Sequence, residues 1–313
     1  MSAIRVEGLT KTYGQVRALD GLDLAVEPGA IFGFLGPNGS GKTTTIRILT
    51  GLARPTGGRA MVAGSDVAAG GRTASRVIGH LPEEPAFYPW MTPRDFIDHV
   101  ARLFGLDAAE RGTRVAELLD QVGLGSVATR RIGGFSRGMR QRLGLAQALV
   151  NRPEVLFLDE PVSALDPAGR KEVLGLIERL RGQCTVFMSS HILADVERVC
   201  DTIAILARGR LLTQASHDEL LQRYAVPIFE LETDPAAAGS LTGWGASLRS
   251  LPWVESIAME GPVLRIVVRD VDVAKRELLP GALAAGLTLT RYQLVRPSLE
   301  DVFLRLVGAD GER

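Results

Sequence analysis

The stretch GPNGSGKT, residues 36–43, combines glycines with a lysine and a threonine, a composition that suits the binding of phosphate groups. The glycines let backbone amides curl around an anion. The Lys42 ammonium would reach the β- and γ-phosphates of a nucleotide, and the Thr43 hydroxyl would hold Mg²⁺. The run AIFGFLG (30–36) predicts a buried strand before the loop, and TTTIRILTGL (43–52) predicts a helix after it, which is the context such a loop requires. A chance glycine-rich turn is the alternative.

Acidic and imidazole side chains follow two other apolar runs. VLFLDE (155–160) is apolar until Asp159 and Glu160, so both carboxylates are predicted at the carboxyl end of a buried strand, where α/β sheets bind ligands. Asp159 would bind Mg²⁺ directly or through water, and Glu160 would orient and deprotonate an attacking water. His191 ends the strand TVFMSS (185–190) in the same way and would contact the γ-phosphate. A solvated turn and a structural histidine are the alternatives.

A second candidate anion site lies in GFSRGMRQRLGLAQ, residues 134–147. Met139, Leu143 and Ala146 recur at the spacing of one helix face, so a helix is predicted to begin near Ser136. The first amides of a helix have no partner inside it, and the helix dipole adds to their attraction for anions. Ser136 as an ordinary helix cap is the alternative. One triphosphate does not need two such sites, so the second one requires an explanation.

The overall composition is that of a globular protein of 313 residues, which is long enough for about two domains. Basic and acidic residues balance at 36 each, so no long-range positive field attracts nucleic acid, and no nucleic-acid partner is expected. Cys184 and Cys200 have neither metal-ligand nor disulfide spacing, and two reduced buried thiols are expected. No apolar run approaches the roughly 20 residues of a membrane helix, and the first residues lack the apolar region of a signal peptide.

Strands and helices alternate over the first two thirds of the chain, which predicts a mostly parallel sheet of the α/β class. Extended pieces are predicted over residues 4–26, and short strands at 59–64 and 202–207. Residues 72–131 are expected to form a mainly helical insert. A further helix is predicted over 167–181.

The character of the sequence changes near residues 222–227, which separates a first domain, 1–222, from a small domain, 227–308. The runs PIFELET, SIAME, LRIVVR and TLTRYQLV alternate as strands do, and a helix is predicted over 273–279. DPAAAGSLTGWGAS (234–247) is predicted to be a flexible loop. A closing helix opened by a serine, with an aspartate three residues later, completes a small α+β unit.

These motifs occur in the order found in the ATP-binding cassette of ABC transporters, which residues 2–220 resemble. FSRGM follows the helical insert at the place of the signature motif, and VLFLDEP is followed by the D-loop SALD (163–166) and the switch histidine. The resemblance implies an ABC-type P-loop ATPase domain with a mostly parallel core sheet, an antiparallel β subdomain and a helical insert, using ATP and Mg²⁺. It places these loop residues against the nucleotide: Gly36, Pro37, Asn38, Gly39, Ser40, Gly41, Lys42, Thr43 and Thr44.

The resemblance also explains the second anion site. In this family two cassettes pack head to tail, and the signature helix of each completes the ATP site of the other, so Ser136 and Gly138 would bind the partner's γ-phosphate. Asp166 of the D-loop is also expected at the nucleotide. Tyr13 would stack on adenine, with an ordinary half-buried strand tyrosine as the alternative.

Two positions depart from the family's pattern. Arg137 stands where glycine is common, and it would either contact phosphate or face solvent. Glu83, in GHLPEEPAFYP (79–89), stands at the place of a glutamine that touches Mg²⁺ and links hydrolysis to the membrane partner. A carboxylate supplies an oxygen to the metal but adds negative charge near the γ-phosphate, so the strength of coupling at this position stays open.

The function implied is the ATPase subunit of an ABC exporter. It would be a homodimer or paired cassette, cytoplasmic and held at the inner face of the cell membrane by a separately encoded permease. The aromatic stretch 87–96 would dock the permease, with an ordinary surface loop as the alternative. The small domain resembles the accessory domain on cassettes of drug, antibiotic or lipid exporters.

Two other classes of function remain open. A soluble ABC ATPase acting on DNA or ribosomes would be expected to carry a long coiled-coil insert, a second cassette or a basic face, and none is evident in the sequence. A nucleotide-gated binding protein without turnover would have no need of Glu160 as a general base.

Overall fold

A computed structural model of the chain describes residues 2–68, 72–163, 165–224, 227–295 and 298–311. The chain divides into two compact units between His217 and Asp218. Residues 225 and 226 of the predicted domain boundary lie outside the described part of the chain, and so does Ala164 of the D-loop.

The first unit contains ten strands and seven helices among its described residues. Its strands are β1 (Ile4–Tyr13), β2 (Val16–Val26), β3 (Ile31–Leu35), β4 (Gly57–Val62), β5 (Ser65–Asp66), β6 (Ile78–Leu81), β7 (Val155–Leu158), β8 (Thr185–Ser190), β9 (Thr202–Ala207) and β10 (Arg210–Ser216). Its helices are α1 (Lys42–Leu49), α2 (Arg72–Val77), α3 (Pro93–Leu103), α4 (Ala108–Gln121), α5 (Arg137–Ala148), α6 (Pro167–Arg179) and α7 (Leu193–Val199). A further helix, α8 (His217–Tyr224), crosses the division between the two units.

A six-stranded sheet with the order β10-β9-β3-β8-β7-β6 forms the core of this unit. All neighbouring pairs from β9 to β6 are parallel, and β10 joins β9 antiparallel. Every residue of β3, β7 and β8 is buried, because both faces of the sheet are covered. The phenylalanines of these three strands pack together on one face, with Phe187 against Phe32, Phe34 and Phe157 at 5.0–5.7 Å between ring centroids. The parallel arrangement brings the carboxyl ends of β3, β7 and β8 to one edge.

A second sheet, with the order β2-β1-β4-β5, is antiparallel throughout. Its apolar face shares one buried cluster with α1 and with the phenylalanines of the core sheet. The parallel core and the antiparallel subdomain predicted from the sequence are therefore confirmed. Cys184 and Cys200 are free and buried, and burial raises the pKa of the Cys184 thiol to about 11.

The predicted helical insert over 72–131 is wrong at Ile78–Leu81, which forms β6 at one edge of the core sheet. Four residues are too short for periodicity to distinguish a strand from a helix. The partner of β6 is β7, in which Val155 pairs with Ile78, so the strand depends on a contact across more than 70 residues. After it, α3 and α4 do form the helical insert. Thr92 caps α3, because its side chain accepts a hydrogen bond from the Asp95 amide.

The second unit is a four-stranded antiparallel sheet with helices. It consists of β11 (Ile228–Thr233), α9 (Ala238–Leu248), β12 (Val254–Glu260), β13 (Val263–Val268), α10 (Val271–Ala284), β14 (Leu289–Val295) and α11 (Leu299–Gly311), in the sheet order β12-β13-β11-β14. One buried cluster joins side chains of the sheet to those of α9 and α10. Ser298 and Asp301 exchange hydrogen bonds at the start of α11, as the capping pattern predicts.

The flexible loop predicted over 234–247 is wrong, because a short 3-10 turn at Pro235–Ala237 and the helix α9 occupy this segment. Glycine lowers helix propensity, but here it allows close packing against the sheet. A Cβ at Gly245 would lie 2.8 Å from Cδ1 of Leu264 on β13. The helix predicted over 273–279 also extends at both ends, continuing past Pro280. Within the described residues, no helix combines the length and the apolarity needed to cross a membrane.

Candidate functional site

The glycine-rich loop connects β3 to α1, and its backbone approaches neighbouring groups closely. A Cβ at Gly36 would lie 2.4 Å from both the Leu206 carbonyl oxygen and Ser40 Oγ. Gly41 caps α1 with φ at 110°, and a Cβ there would lie 2.7 Å from the Ala18 carbonyl oxygen. A side chain at either position would displace the loop, so glycine is required for this conformation.

Lys42, the first residue of α1, is buried to 6 % exposure. Its ammonium donates a hydrogen bond to the Gly36 carbonyl at 2.8 Å and lies 3.4 Å from Oε1 of Glu160. A buried cation requires anionic or carbonyl partners, and the Lys42 ammonium has one of each. The lysine therefore joins the loop to the end of β7.

Asp159 and Thr43 bring two oxygen ligands together from distant parts of the chain. Thr43 Oγ1 lies 3.4 Å from Asp159 Oδ1, and Asp159 is buried. Among the described residues there is no cluster of three or more histidine, cysteine or acidic side chains of the kind that forms an all-protein metal site. Mg²⁺ does not need one, since it is commonly held by one or two carboxylates together with substrate phosphates.

Glu160 and His191 follow neighbouring parallel strands, β7 and β8. Oε2 of Glu160 lies 2.7 Å from Nδ1 of His191, while the histidine keeps 43 % of its side chain exposed. Glu160 has a backbone φ of 48°, a left-handed conformation that is uncommon for a residue with a Cβ. The carboxylate is thus held between an ammonium and an imidazole.

Lys42, Thr43, Glu160 and His191 meet at one cavity of about 350 Å³, and Asp159 lies next to it through its contact with Thr43. The cavity is lined by Ala18, Asn38, Gly39, Gly41, Lys42, Thr43, Thr44, Glu83, Glu160 and His191. The structure therefore brings together most of the residues expected at the phosphates. Gly36, Pro37 and Ser40 do not line the cavity, but within the loop the Pro37 carbonyl accepts a hydrogen bond from the Ser40 amide at 3.2 Å.

Tyr13 is not among the residues lining this cavity. It ends β1, remains 46 % exposed, and has the Lys11 ammonium 4.7 Å from its ring centroid. The ring therefore contacts a cation on its own strand.

The signature segment lies at a different hollow, of about 320 Å³, lined by Glu83, Glu84, Pro85, Arg137, Arg140 and Gln141. Ser136 caps α5 by accepting a hydrogen bond from the Met139 amide at 3.2 Å. Arg137 is 59 % exposed and lies 3.8 Å from Glu84 Oε1. A Cβ at Gly138 would meet only Leu165, at 3.9 Å, so this part of the helix is open. Glu83 lines both this hollow and the cavity beside the phosphate loop.

Asp166 also acts as a helix cap, since it accepts a hydrogen bond from the Gly169 amide at 3.1 Å at the start of α6. Neither Asp166 nor Ser136 lines the cavity beside the phosphate loop. Ser136, expected to act in trans, therefore lies apart from the phosphate loop of its own chain.

Two polar groups near the site escape sequence reasoning. Ser189 is fully buried and contacts both acidic residues that follow β7. Asp195, on α7, is 2 % exposed and accepts a hydrogen bond from Arg170 Nε at 2.5 Å. Burial raises the pKa of Asp195 above its usual value, with Arg170 opposing the shift. In the sequence, Ser189 and Asp195 are marked only by being polar residues in an otherwise apolar strand and helix face.

Comparisons with known proteins identify the family of the chain. Residues 19–163 match the family model described as ABC transporter, and residues 216–307 match the one for the C-terminal domain of DrrA1-3-like ATP-binding proteins. The chain is 41 % identical over 307 residues to the bacitracin transport ATP-binding protein BcrA of Bacillus licheniformis, covering 97 % of each chain. It is 36 % identical over 311 residues to the daunorubicin resistance ATP-binding protein DrrA3 of Streptomyces coeruleorubidus, covering 99 % of this chain and 97 % of that one.

The fold also matches that of solved ABC transporter subunits. A solved structure of the ATP-binding subunit of an ABC transporter superimposes with a TM-score of 0.65 at 29 % identity, covering 71 % of this chain and 93 % of that one. The fold and the phosphate loop define an ABC-type P-loop ATPase. The chain belongs to the family of ABC transporter ATP-binding proteins.

The residues present fit a nucleotide with Mg²⁺. A Cβ at Gly36 would collide with the Leu206 carbonyl oxygen and Ser40 Oγ, so the loop keeps its shape only with glycine there. Ser40 Oγ is buried without a hydrogen-bond partner among the described residues. Lys42 lines the cavity, and its ammonium is a cation that phosphate oxygens can pair with. Asp159 and Thr43 supply the hard oxygen ligands that Mg²⁺ prefers.

Proposed function

We propose that this protein is the ATP-hydrolysing subunit of an ABC exporter, acting on a separate membrane-spanning permease. The observation that carries the proposal is the convergence of Lys42, Thr43, Asp159, Glu160 and His191 at the carboxyl edge of one parallel sheet. The names of two relatives, bacitracin transport and daunorubicin resistance, support export of an antibiotic or drug as the direction of transport.

The chain's own residues divide the work of hydrolysis. Amides of the glycine-rich loop and the Lys42 ammonium bind the β- and γ-phosphates, which offsets their charge. Glu160 orients the attacking water and accepts its proton, while His191 holds the carboxylate by a hydrogen bond and reaches toward the γ-phosphate. Thr43, Asp159 and Glu83 are the oxygen donors for Mg²⁺, which when bound adds charge neutralisation at the phosphates.

The position of the signature helix supports a head-to-tail dimer. Ser136 is exposed at the N-terminus of α5, and Gly138 is open, yet neither lines the cavity of its own chain. A second copy would bring these groups to the γ-phosphate, where the helix dipole and free amides favour an anion. Arg137, exposed beside them, would add a positive charge to the same contact.

Docking of the permease on the insert is supported by exposed aromatic rings. Tyr88 and Trp90 are 49 % and 66 % exposed and lie 5.2 Å apart between centroids. Phe87 packs edge-to-face on Phe96 of α3 at 5.1 Å, which anchors this segment to the insert. Exposed aromatic clusters of this kind are typical of protein interfaces.

The catalytic part is tested with Glu160→Gln. We expect ATP hydrolysis to fall about a hundredfold or more, because the general base is lost, while ATP binding persists. The variant should accumulate as an ATP-bound dimer on size-exclusion chromatography. Glu154→Gln, an exposed change just before the same strand, is the control and should hydrolyse ATP like the unmodified protein. Unchanged hydrolysis in Glu160→Gln would remove the catalytic assignment.

The transport part is tested by purifying the tagged protein from detergent-solubilised native membranes, followed by mass spectrometry of its companions. A stoichiometric multi-spanning partner is the expected result. Recovery without any membrane partner, together with ATPase activity, would instead favour a soluble ABC ATPase that acts on another macromolecule.

A further inference from the structure

Ser189 is a polar residue at the centre of a buried sheet, and the chemistry proposed above does not use it. It is the fifth residue of β8 and has 0 % exposure. On one side of β8, Ser189 pairs with Phe34 of β3. On the other side, the preceding residue, Met188, pairs with Leu158 of β7. A buried hydroxyl requires hydrogen-bond partners, and those partners indicate what the residue does.

The Ser189 hydroxyl joins the two acidic residues that follow β7. Oγ donates a hydrogen bond to Asp159 Oδ1 at 2.7 Å and accepts one from the Glu160 amide at 3.0 Å. The directions are unambiguous, because an amide N–H only donates and an ionised carboxylate only accepts. One hydroxyl therefore completes a chain from the Glu160 backbone to the Asp159 side chain.

The hydrogen bond from the Glu160 amide holds an uncommon backbone conformation. Glu160 has φ at 48°, and such a left-handed conformation costs free energy in a residue with a Cβ, so surrounding contacts must maintain it. This conformation directs the Glu160 carboxylate to the position where it contacts Lys42 and His191. Loss of the Ser189 oxygen would leave a buried amide unpaired at this turn.

The hydrogen bond to Asp159 acts on the carboxylate expected to hold the metal. Ser189 binds the same Oδ1 atom that lies 3.4 Å from Thr43 Oγ1. Partners behind a metal-binding carboxylate restrict its rotation and thereby affect metal affinity.

We propose that Ser189 is a positioning residue for ATP hydrolysis, whose single hydroxyl sets the Asp159 carboxylate and the Glu160 backbone together. The inference rests on the proposed function, since it presupposes that these two acids act on ATP and Mg²⁺. It extends that function to a residue that does not line the cavity beside the phosphate loop.

The test compares Ser189→Ala with Thr185→Val. Thr185 is the first residue of the same strand, is 3 % exposed, and its hydroxyl accepts a hydrogen bond from the Gly29 amide at 3.0 Å. Both variants thus remove a buried hydroxyl from β8, but only one faces the site. Ser189→Cys is a second variant, because the thiol fills the space of the hydroxyl while forming only weak hydrogen bonds.

We expect kcat for ATP to fall about tenfold or more in both Ser189 variants and to stay unchanged in Thr185→Val, since a hydrogen bond to a charged group contributes about that factor. We also expect weaker Mn²⁺ binding, measured by electron paramagnetic resonance with ADP present, in the Ser189 variants alone. Urea unfolding of all three variants shows whether they lose similar stability.

Normal kcat and Mn²⁺ affinity in a folded Ser189→Cys would overturn the proposal, because the hydrogen bonds would then be dispensable. Equal losses in Thr185→Val would also overturn it, since the effect would be that of any buried hydroxyl. Failure of the proposed function looks different, because Glu160→Gln would then hydrolyse ATP normally or the unmodified protein would not hydrolyse it at all.

Discussion

Oε2 of Glu160 lies at hydrogen-bonding distance, 2.7 Å, from Nδ1 of His191, although the two residues are 31 positions apart. The other carboxylate oxygen of Glu160 lies 3.4 Å from the Lys42 ammonium. The general base of the proposed reaction is thus connected on one side to the phosphate loop and on the other to the end of β8. Changes at Glu160 or His191 should therefore affect hydrolysis more than nucleotide binding.

Replacing His191 with alanine tests the histidine contact. We expect kcat for ATP to fall about a hundredfold with little change in KM, because Glu160 loses the group that orients it while the loop still binds phosphate. Steady-state kinetics give both constants. His99→Ala, an exposed change on α3, is the matched control and should leave both constants unaltered. A large rise in KM alone would assign His191 to binding instead.

Replacing Gly36 with alanine tests the close approach of the loop. The added Cβ would lie 2.4 Å from the Leu206 carbonyl oxygen, so the loop must shift, and we expect ATP affinity to fall about tenfold or more. Equilibrium binding of a fluorescent ATP analogue measures the loss. Gly112→Ala on α4 adds the same methyl group in open space and should stabilise the protein by up to about 1 kcal/mol without changing affinity. Equal affinities in the two variants would contradict this role of Gly36.

The buried carboxylate of Asp195 predicts a pH dependence of stability. Burial raises the pKa of Asp195 above its usual 3.8, so the folded protein binds this proton more tightly than the unfolded chain. The favourable contribution of Asp195 is therefore complete below pH 3.8 and is lost as the pH rises through the folded-state pKa. We expect the unmodified protein to lose stability relative to Asp195→Asn as the pH rises above 3.8 and through the folded-state pKa. Urea unfolding at several pH values measures the difference.

The pKa of Asp98 is shifted in the opposite direction to that of Asp195, so Asp98 serves as the comparison. Burial alone would raise the pKa of Asp98, but hydrogen bonds from Arg111 and Arg102 lower it below 3.8. Its contribution is therefore present above pH 3.8 and is lost as the pH falls, so Asp98→Asn should approach the stability of the unmodified protein in acid. Parallel pH profiles for the two variants would show that the Asp195 effect does not come from its buried carboxylate.

Truncation after residue 226 tests whether the small domain takes part in nucleotide binding. The second unit has its own buried cluster, and the residues lining the phosphate-loop cavity all belong to the first unit. We expect the truncated chain to bind ADP with unchanged affinity, measured by calorimetry. Loss of ADP binding in a truncated chain that retains its helical circular dichroism would refute the prediction.

Much of the fold was predictable because its signals are local. The core strands are continuous apolar runs, since strands covered on both faces exclude polar residues. A glycine, an acidic residue or a histidine follows each of these apolar runs, so the functional groups could be predicted at the strand ends. The meeting of β3, β7 and β8 at one edge then follows from their parallel arrangement.

Two elements were not predictable because distant contacts determine them. Ile78–Leu81 becomes a strand only by pairing with Val155 and its neighbours on β7. Ala238–Leu248 becomes a helix although its glycines and serines favour a loop, because Gly245 permits close packing on Leu264.

The sequence by itself determined the class of the protein and its phosphate loop, since a motif of eight adjacent residues and its flanking apolar runs carry that information. Only the tertiary structure decided the partners of Ser189, which lie 29 and 30 positions away, and the pairing of Asp195 with Arg170 across two helices. The physical reason is that hydrogen bonds between distant segments depend on strand register and helix packing. Neither leaves a periodic pattern in the chain.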